Sequence, residues 1–156
     1  MSGREHWEKL ENLMHSAPIV RLMGARAHIA DGSAEITIPV RRELFHAAHA
    51  LHGSVYFLAL DNAAFFAVNS LVEDVFVLTA SFTAYFTRPV TGGMIRAAGK
   101  VVSRGRSQFV AESVLYDESG AEIARGSGLF VKSRIPLDER IGYCNDAFPA
   151  DALQGG

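Results

Sequence analysis

Three residues carry the chemistry this chain can offer: His52, Gly53 directly after it, and Asp61, nine residues past the histidine. The run from Val55 to Val68 is otherwise almost wholly apolar. A helix apolar on every side belongs in a core. An ionised carboxylate there is costly unless it is paired, hydrogen-bonded or protonated. Asp61 is therefore a candidate general base or nucleophile. Its structural alternative is a carboxylate that pairs with an arginine or caps a neighbouring helix. Gly53 stands where the helix should begin. The first N–H groups of a helix have no intrahelical acceptor and carry the positive end of its dipole. They can stabilise a developing oxyanion, and glycine lets a carbonyl approach the backbone closely. At ~1.5 Å per residue, the helix start and Asp61 lie roughly 13 Å apart, too far to serve one carbonyl from one helix. Two antiparallel copies related by a two-fold axis would bring Gly53 of one to Asp61 of the other. The spacing thus predicts a homodimer with two equivalent composite sites.

The elements that must position these residues follow from periodicity. Ser2 to Glu5 has the spacing of a capping box, and Trp7, Leu10, Leu13 and Met14 recur at helical intervals up to Pro18. Ala25–Ala30 and Ser33–Val40 read as a hairpin about Asp31-Gly32, with Pro39 pointing to a sheet edge. A connector holds His46, His49 and His52, and the apolar helix should run from Gly53 to Leu71. Val75–Thr87 reads as one long strand. Strict alternation puts Phe76, Leu78, Phe82 and Phe86 on one side and Val77, Thr79, Ser81, Thr83 and Tyr85 on the other. Met94–Ser103, Gln108–Tyr116 and Glu122–Lys132 follow as strands joined by short turns, so the sheet is expected to be antiparallel. From Pro136 the pattern fades, which predicts a domain over 1–135 and a loosely held tail over 136–156.

Composition narrows the function. The chain has 156 residues, 49% of them hydrophobic, enough for one domain with a real core. A net charge of -2 offers no field for nucleic acid. Cys144 is the only cysteine, which rules out a disulfide framework and a cysteine metal cluster. The N-terminus lacks an apolar signal region, and the apolar run is short for a membrane span. A cytoplasmic protein without membrane attachment is expected.

The stretch from His46 to Asn62, with Thr79 and Pro89 beyond it, resembles the hot-dog-fold acyl-CoA thioesterases of the phenylacetate-degradation (PaaI) type. The resemblance spans roughly Met14 to Ser133. It implies an α+β hot-dog fold, an antiparallel sheet wrapped around a long central helix, paired into dimers and often tetramers. It also implies hydrolysis of an acyl-CoA thioester. In that family an asparagine is followed six residues later by His-Gly-Gly, and an aspartate stands nine residues after the histidine. His52, Gly53 and Asp61 fit. By resemblance, Asp61 attacks the thioester or activates water, the Gly53 N–H polarises the carbonyl from the facing subunit, and Thr79, eighteen positions after Asp61, assists the water. His46 replaces the asparagine, His49 the intervening small residue, and Ser54 the second glycine. A neutral imidazole still donates or accepts one hydrogen bond. The turn Arg104-Gly105-Arg106-Ser107 matches a loop that lies beside coenzyme A in this family. Arginine suits phosphate by its planar fork of donors. Arg88, Ser54 and Ser81 join these as candidate substrate contacts. No metal or organic cofactor is expected, since coenzyme A is part of the substrate.

Other chemistries weigh less. Three histidines within seven residues suggest zinc or nickel, but no nearby cysteine or glutamate completes a usual set. A non-catalytic acyl-CoA sensor on the same fold would usually carry a DNA-binding segment, and none is visible. A hot-dog enoyl-CoA hydratase would need a histidine and an acid in one cleft. His52 and Asp61 could form such a pair across a dimer, though their spacing fits the hydrolase pattern better.

Overall fold

Ser2 caps the first helix by accepting the Glu5 N–H at 3.2 Å, the expected role for a serine at that place. The computed structural model describes residues 1–147. Helix α1 covers Gly3–Ser16. Pro18 does more than end it: the residue opens a second short helix, α2, Pro18–Met23. Proline at the first helical position has no N–H to lose and a preset φ. Strands β1 (Arg26–Ala30) and β2 (Ser33–Pro39) form the expected hairpin. Beyond a short turn at Arg42–Leu44 comes α3, Gly53–Asn69, followed by β3 (Val75–Phe86), β4 (Met94–Arg104), β5 (Gln108–Tyr116) and β6 (Glu122–Pro136).

The six strands pair antiparallel in the order β1-β2-β4-β5-β6-β3. Helix α3 lies across one face of this sheet and touches all six strands. This is the hot-dog arrangement. Its seat is a row of small residues crossing five strands: Ala34, Gly99, Ser113, Gly126 and Ala84 are successive register partners. At Gly99 the helix rests on the bare backbone; a Cβ there would lie 2.3 Å from the carbonyl of Ala63. Beside it, the buried Ser113 hydroxyl donates to the Leu60 carbonyl at 2.8 Å.

Strict alternation fails along β3. The register with β6 slips between Thr79 and Ser81, leaving Ala80 as an extra residue. A bulge of this kind reverses which side chains face inward. Thr79 and Phe82, three residues apart, therefore both face α3, and Ser81 turns to the opposite face.

The segment after β6 also departs from the expected loose tail. The Leu137 N–H donates to the Asp74 carbonyl at 3.1 Å. Tyr143 is buried against α1, its hydroxyl 2.7 Å from Nδ1 of the fully buried His6. The His6 Nε2 meets the Asn69 carbonyl at 2.9 Å. Asn12 donates to the Cys144 carbonyl at 2.8 Å. Residues 137–147 thus tie α1 to the end of α3. The remainder of the expected tail, 148–156, lies outside the described residues.

Candidate active site

Asp61 sits midway along α3, on the stripe that faces β3. Residues four apart stack on one helix face, so Phe57, Asp61 and Phe65 form a ladder. Each rung meets one β3 side chain. Phe57 meets Phe82 at 5.4 Å between ring centroids, the Thr79 hydroxyl donates to Asp61 Oδ1 at 2.9 Å, and Phe65 meets Phe76 at 5.0 Å. One polar rung is set between aromatic rungs. Burial pushes the Asp61 carboxyl above the usual carboxylate range, and the hydrogen bond from Thr79 partly offsets that rise. The Ala80 bulge makes this rung possible, because it lets Thr79 and Phe82 both point at the helix.

The start of α3 is a separate feature. His52 is its N-cap: Nδ1 accepts the Ser54 N–H at 3.0 Å and lies 2.8 Å from the Ser54 hydroxyl. The His52 carbonyl accepts the Val55 N–H at 3.0 Å. The histidine thus takes up the next two first-turn donors after Gly53, and Gly53 N–H is the helix's leading dipole. Gly53 opens onto a cavity of about 320 Å³, shared with His46, Leu51, Tyr56, Phe86 and Pro89. The Phe86 ring presses on Gly53; a Cβ there would sit 2.9 Å from it. His46 Nδ1 accepts the Ala48 N–H at 3.1 Å, which places the proton of a neutral ring on Nε2. The His46 and His52 rings lie 6.5 Å apart, and His49 adopts φ 66. Among the described residues, no group of three or more His, Cys, Asp or Glu side chains is arranged to hold a metal ion.

The expected site residues divide by position. Asp61 and Thr79 meet directly. Gly53, His52, Ser54 and His46 gather at the helix start, two turns away along the same α3, so one chain does not bring Gly53 to Asp61. Arg88 borders the Gly53 cavity, and its carbonyl accepts the Tyr56 hydroxyl at 2.7 Å. Arg104, Gly105, Arg106 and Ser107 form the β4–β5 turn, closed by the Gly105 N–H on the Gln108 carbonyl at 2.8 Å. Arg104 shares a register row with Phe109, Phe130 and Thr79. That row crosses three strand spacings, roughly 14 Å. Arg88 lies at the far end of the sheet, its N–H on the Ile123 carbonyl at 3.3 Å. Arg88 and the Arg104–Arg106 turn of one chain therefore do not share a ligand phosphate. Ser81 faces away from Asp61. Ser113 and Phe86, which touch the backbone on either side of the candidate groups, were not expected. Their only advance signal was a strand pattern whose register was unknown.

Residues 48–124 match the Thioesterase superfamily model. No curated protein matches the chain. Among solved structures, the PaaI protein of the E. coli phenylacetic acid degradation operon superposes with a TM-score of 0.78 at 18% identity, over 86% of this chain and 97% of that one. A thioesterase family protein from Silicibacter pomeroyi gives 0.71 at 28% identity, over 79% and 96%. A variant of the phenylacetic acid degradation protein PaaI from Thermus thermophilus gives 0.68 at 22%, over 75% and 100%. No helix among the described residues is long and apolar enough to cross a membrane.

Proposed function

We propose, from a chain that belongs to the Thioesterase superfamily by its residues 48–124, that the thioester it hydrolyses is an acyl-CoA, yielding a free acid and coenzyme A. The carrying observation is the Asp61 carboxylate, half-buried among aromatic rings and held by Thr79. Asp61 supplies the nucleophilic or general-base oxygen. Attack adds oxygen to the thioester carbon, the carbonyl oxygen takes the negative charge, and the C–S bond breaks as the thiolate leaves. If water attacks, Asp61 takes its proton and the thiolate receives it; if Asp61 attacks, water then hydrolyses the acyl–Asp61 anhydride to the free acid. The Gly53 N–H, with the helix dipole behind it, receives that charge. Thr79 orients the carboxylate and the water, and His46 and His52 shape the cavity at the donor. Arg88 and the Arg104–Ser107 turn offer cationic groups for the phosphates of coenzyme A. The reaction needs no metal or organic cofactor in this reading.

Gly53 and Asp61 stand two turns apart on one helix, so the complete site takes a second copy of the chain. The sheet edges favour this. At β1, Glu11 and His15 of α1 accept the outward N–H groups of Ile29 and Ala27 at 2.8 and 3.1 Å. The twelve residues of β3 form the other edge and, among the described residues, pair only with β6. Such an edge is a template for pairing with another chain. A homodimer joined there, with composite sites and open to further pairing into a tetramer, belongs to this proposal, as does a cytoplasmic setting.

The test follows thiol release from aryl, short-chain and long-chain acyl-CoA esters. Wild-type protein is expected to release thiol from at least one class. Asp61→Asn should lower kcat by about a thousandfold, an amount comparable to losing a principal catalytic group, with the circular dichroism spectrum unchanged. Full activity in Asp61→Asn ends the proposal. Tight binding without thiol release would favour the sensor instead.

A further inference from the structure

We infer that Phe86 selects the acyl group, by limiting substitution on the carbon next to the thioester carbonyl; the inference rests on the Gly53 N–H being that carbonyl's donor. Phe86 is the last residue of β3, and its ring edge lies against Gly53, within 2.9 Å of where a Cβ would stand. Tyr56 backs the ring edge-to-face at 5.3 Å between centroids. Tyr56 does not yield, because it is 3% exposed and its hydroxyl is bonded to the Arg88 carbonyl at 2.7 Å. In the single chain the free side of the Phe86 ring is open, the residue being 49% exposed. A carbonyl oxygen at hydrogen-bond distance from Gly53 N–H, about 2.9 Å, enters the cavity that this ring walls. The neighbouring carbon of the acyl group, about 1.5 Å from the carbonyl carbon, then passes beside the ring. Leu51, Tyr56 and Pro89 continue the apolar side that Phe86 begins, while His46, Thr87 and Arg88 make the rest of the lining polar; the apolar side suits an acyl chain better than the amides of the thiol arm. An unbranched or planar acyl group slides past the ring; a methyl branch at the first carbon meets it.

The experiment compares butyryl-CoA with 2-methylbutyryl-CoA, which differ only by a methyl group on that carbon. Wild-type protein should favour butyryl-CoA in kcat/KM. Phe86→Ala should shrink the preference by tenfold or more, within the roughly 10–200-fold that one methyl commands in an apolar pocket. Phe86→Trp should widen it. If Phe86→Ala fails to fold by circular dichroism, Phe86→Leu reads the same ratio. The N-acetylcysteamine thioesters of both acids should show the same preference. An active variant with the wild-type ratio overturns the inference and leaves the hydrolase reading standing. So does a preference that vanishes with the shorter thiol, which would place the ring against the thiol arm. Wild-type protein that releases no thiol from any ester, or full activity in Asp61→Asn, ends both.

Discussion

Asp61 is drawn two ways by its surroundings, and the balance has consequences in solution. Burial favours its neutral form, and the Thr79 hydrogen bond favours the charged one. In the proposed reaction the active form is the carboxylate, so activity should be lost as pH falls through its pKa. The acid limb of kcat/KM should lie above the ordinary aspartate value of 3.8. Thr79→Val removes the offsetting bond and should move that limb to still higher pH; an unmoved or lowered limb would contradict the arrangement. The same shift acts on stability. With its folded pKa raised, Asp61 binds a proton more readily in the folded chain than in the unfolded one. Its contribution is complete below the unfolded pKa and is lost as pH rises through the folded pKa. At pH 7, well above the unfolded value of 3.8, Asp61 therefore weakens the fold. Asp61→Asn keeps an acceptor for Thr79 and removes the charge, so it should melt higher than wild type at pH 7, and the gap should close as pH falls toward 4. A residue that costs stability where it stands is the usual mark of a functional site.

At the scale of elements, the helix α3 was legible because its apolar residues leave no polar face, and the hairpins because their turns are short and punctuated. The Asp61–Thr79 pairing was legible only through a family spacing. Alternation places Thr79 and Ser81 together, and the Ala80 bulge, which separates them, leaves no trace in residue type. Residues 137–147 escaped notice because their hold on the domain is polar and scattered: Tyr143 to His6, Asn12 to Cys144. The helix seat was hidden for a different reason. Gly99, Ser113 and Gly126 stand in three different strands, and only the register aligns them. That seat makes a sharp prediction. An alanine Cβ at Gly99 would fall 2.3 Å from helix backbone, which cannot turn aside as a side chain can. Gly99→Ala should cost about 1–3 kcal/mol, the usual range for overpacking, by lifting α3 from the sheet. Gly92→Ala, with nothing within 4 Å, is the control and should leave the urea midpoint nearly unchanged. Equal midpoints for the two variants would mean that the helix does not rest on Gly99.

Among the described residues the molecule has two unlike sheet edges, one closed by its own α1 and one left open along β3, and this asymmetry bears on how the site is completed. If each site takes Gly53 from one copy and Asp61 from the other, complementation has a definite yield. Asp61→Ala removes the carboxylate. Gly53→Pro removes the donor; proline at a first helical position is well tolerated, and because its Cβ would stand 2.9 Å from the Phe86 ring, the fold of the variant is checked first by circular dichroism. Each homodimer has two broken sites. In a mixed dimer one site collects both defects, and the other joins the intact Gly53 of one copy to the intact Asp61 of its partner. Random reassortment of equal amounts makes half the dimers mixed, each with one working site of two, so about one quarter of wild-type activity should return. Mixing after mild denaturation and refolding, with thiol release as the readout, measures it directly. Return of no activity from well-folded mixed dimers, isolated by two different affinity tags, would mean that Gly53 and Asp61 do not work together across the interface.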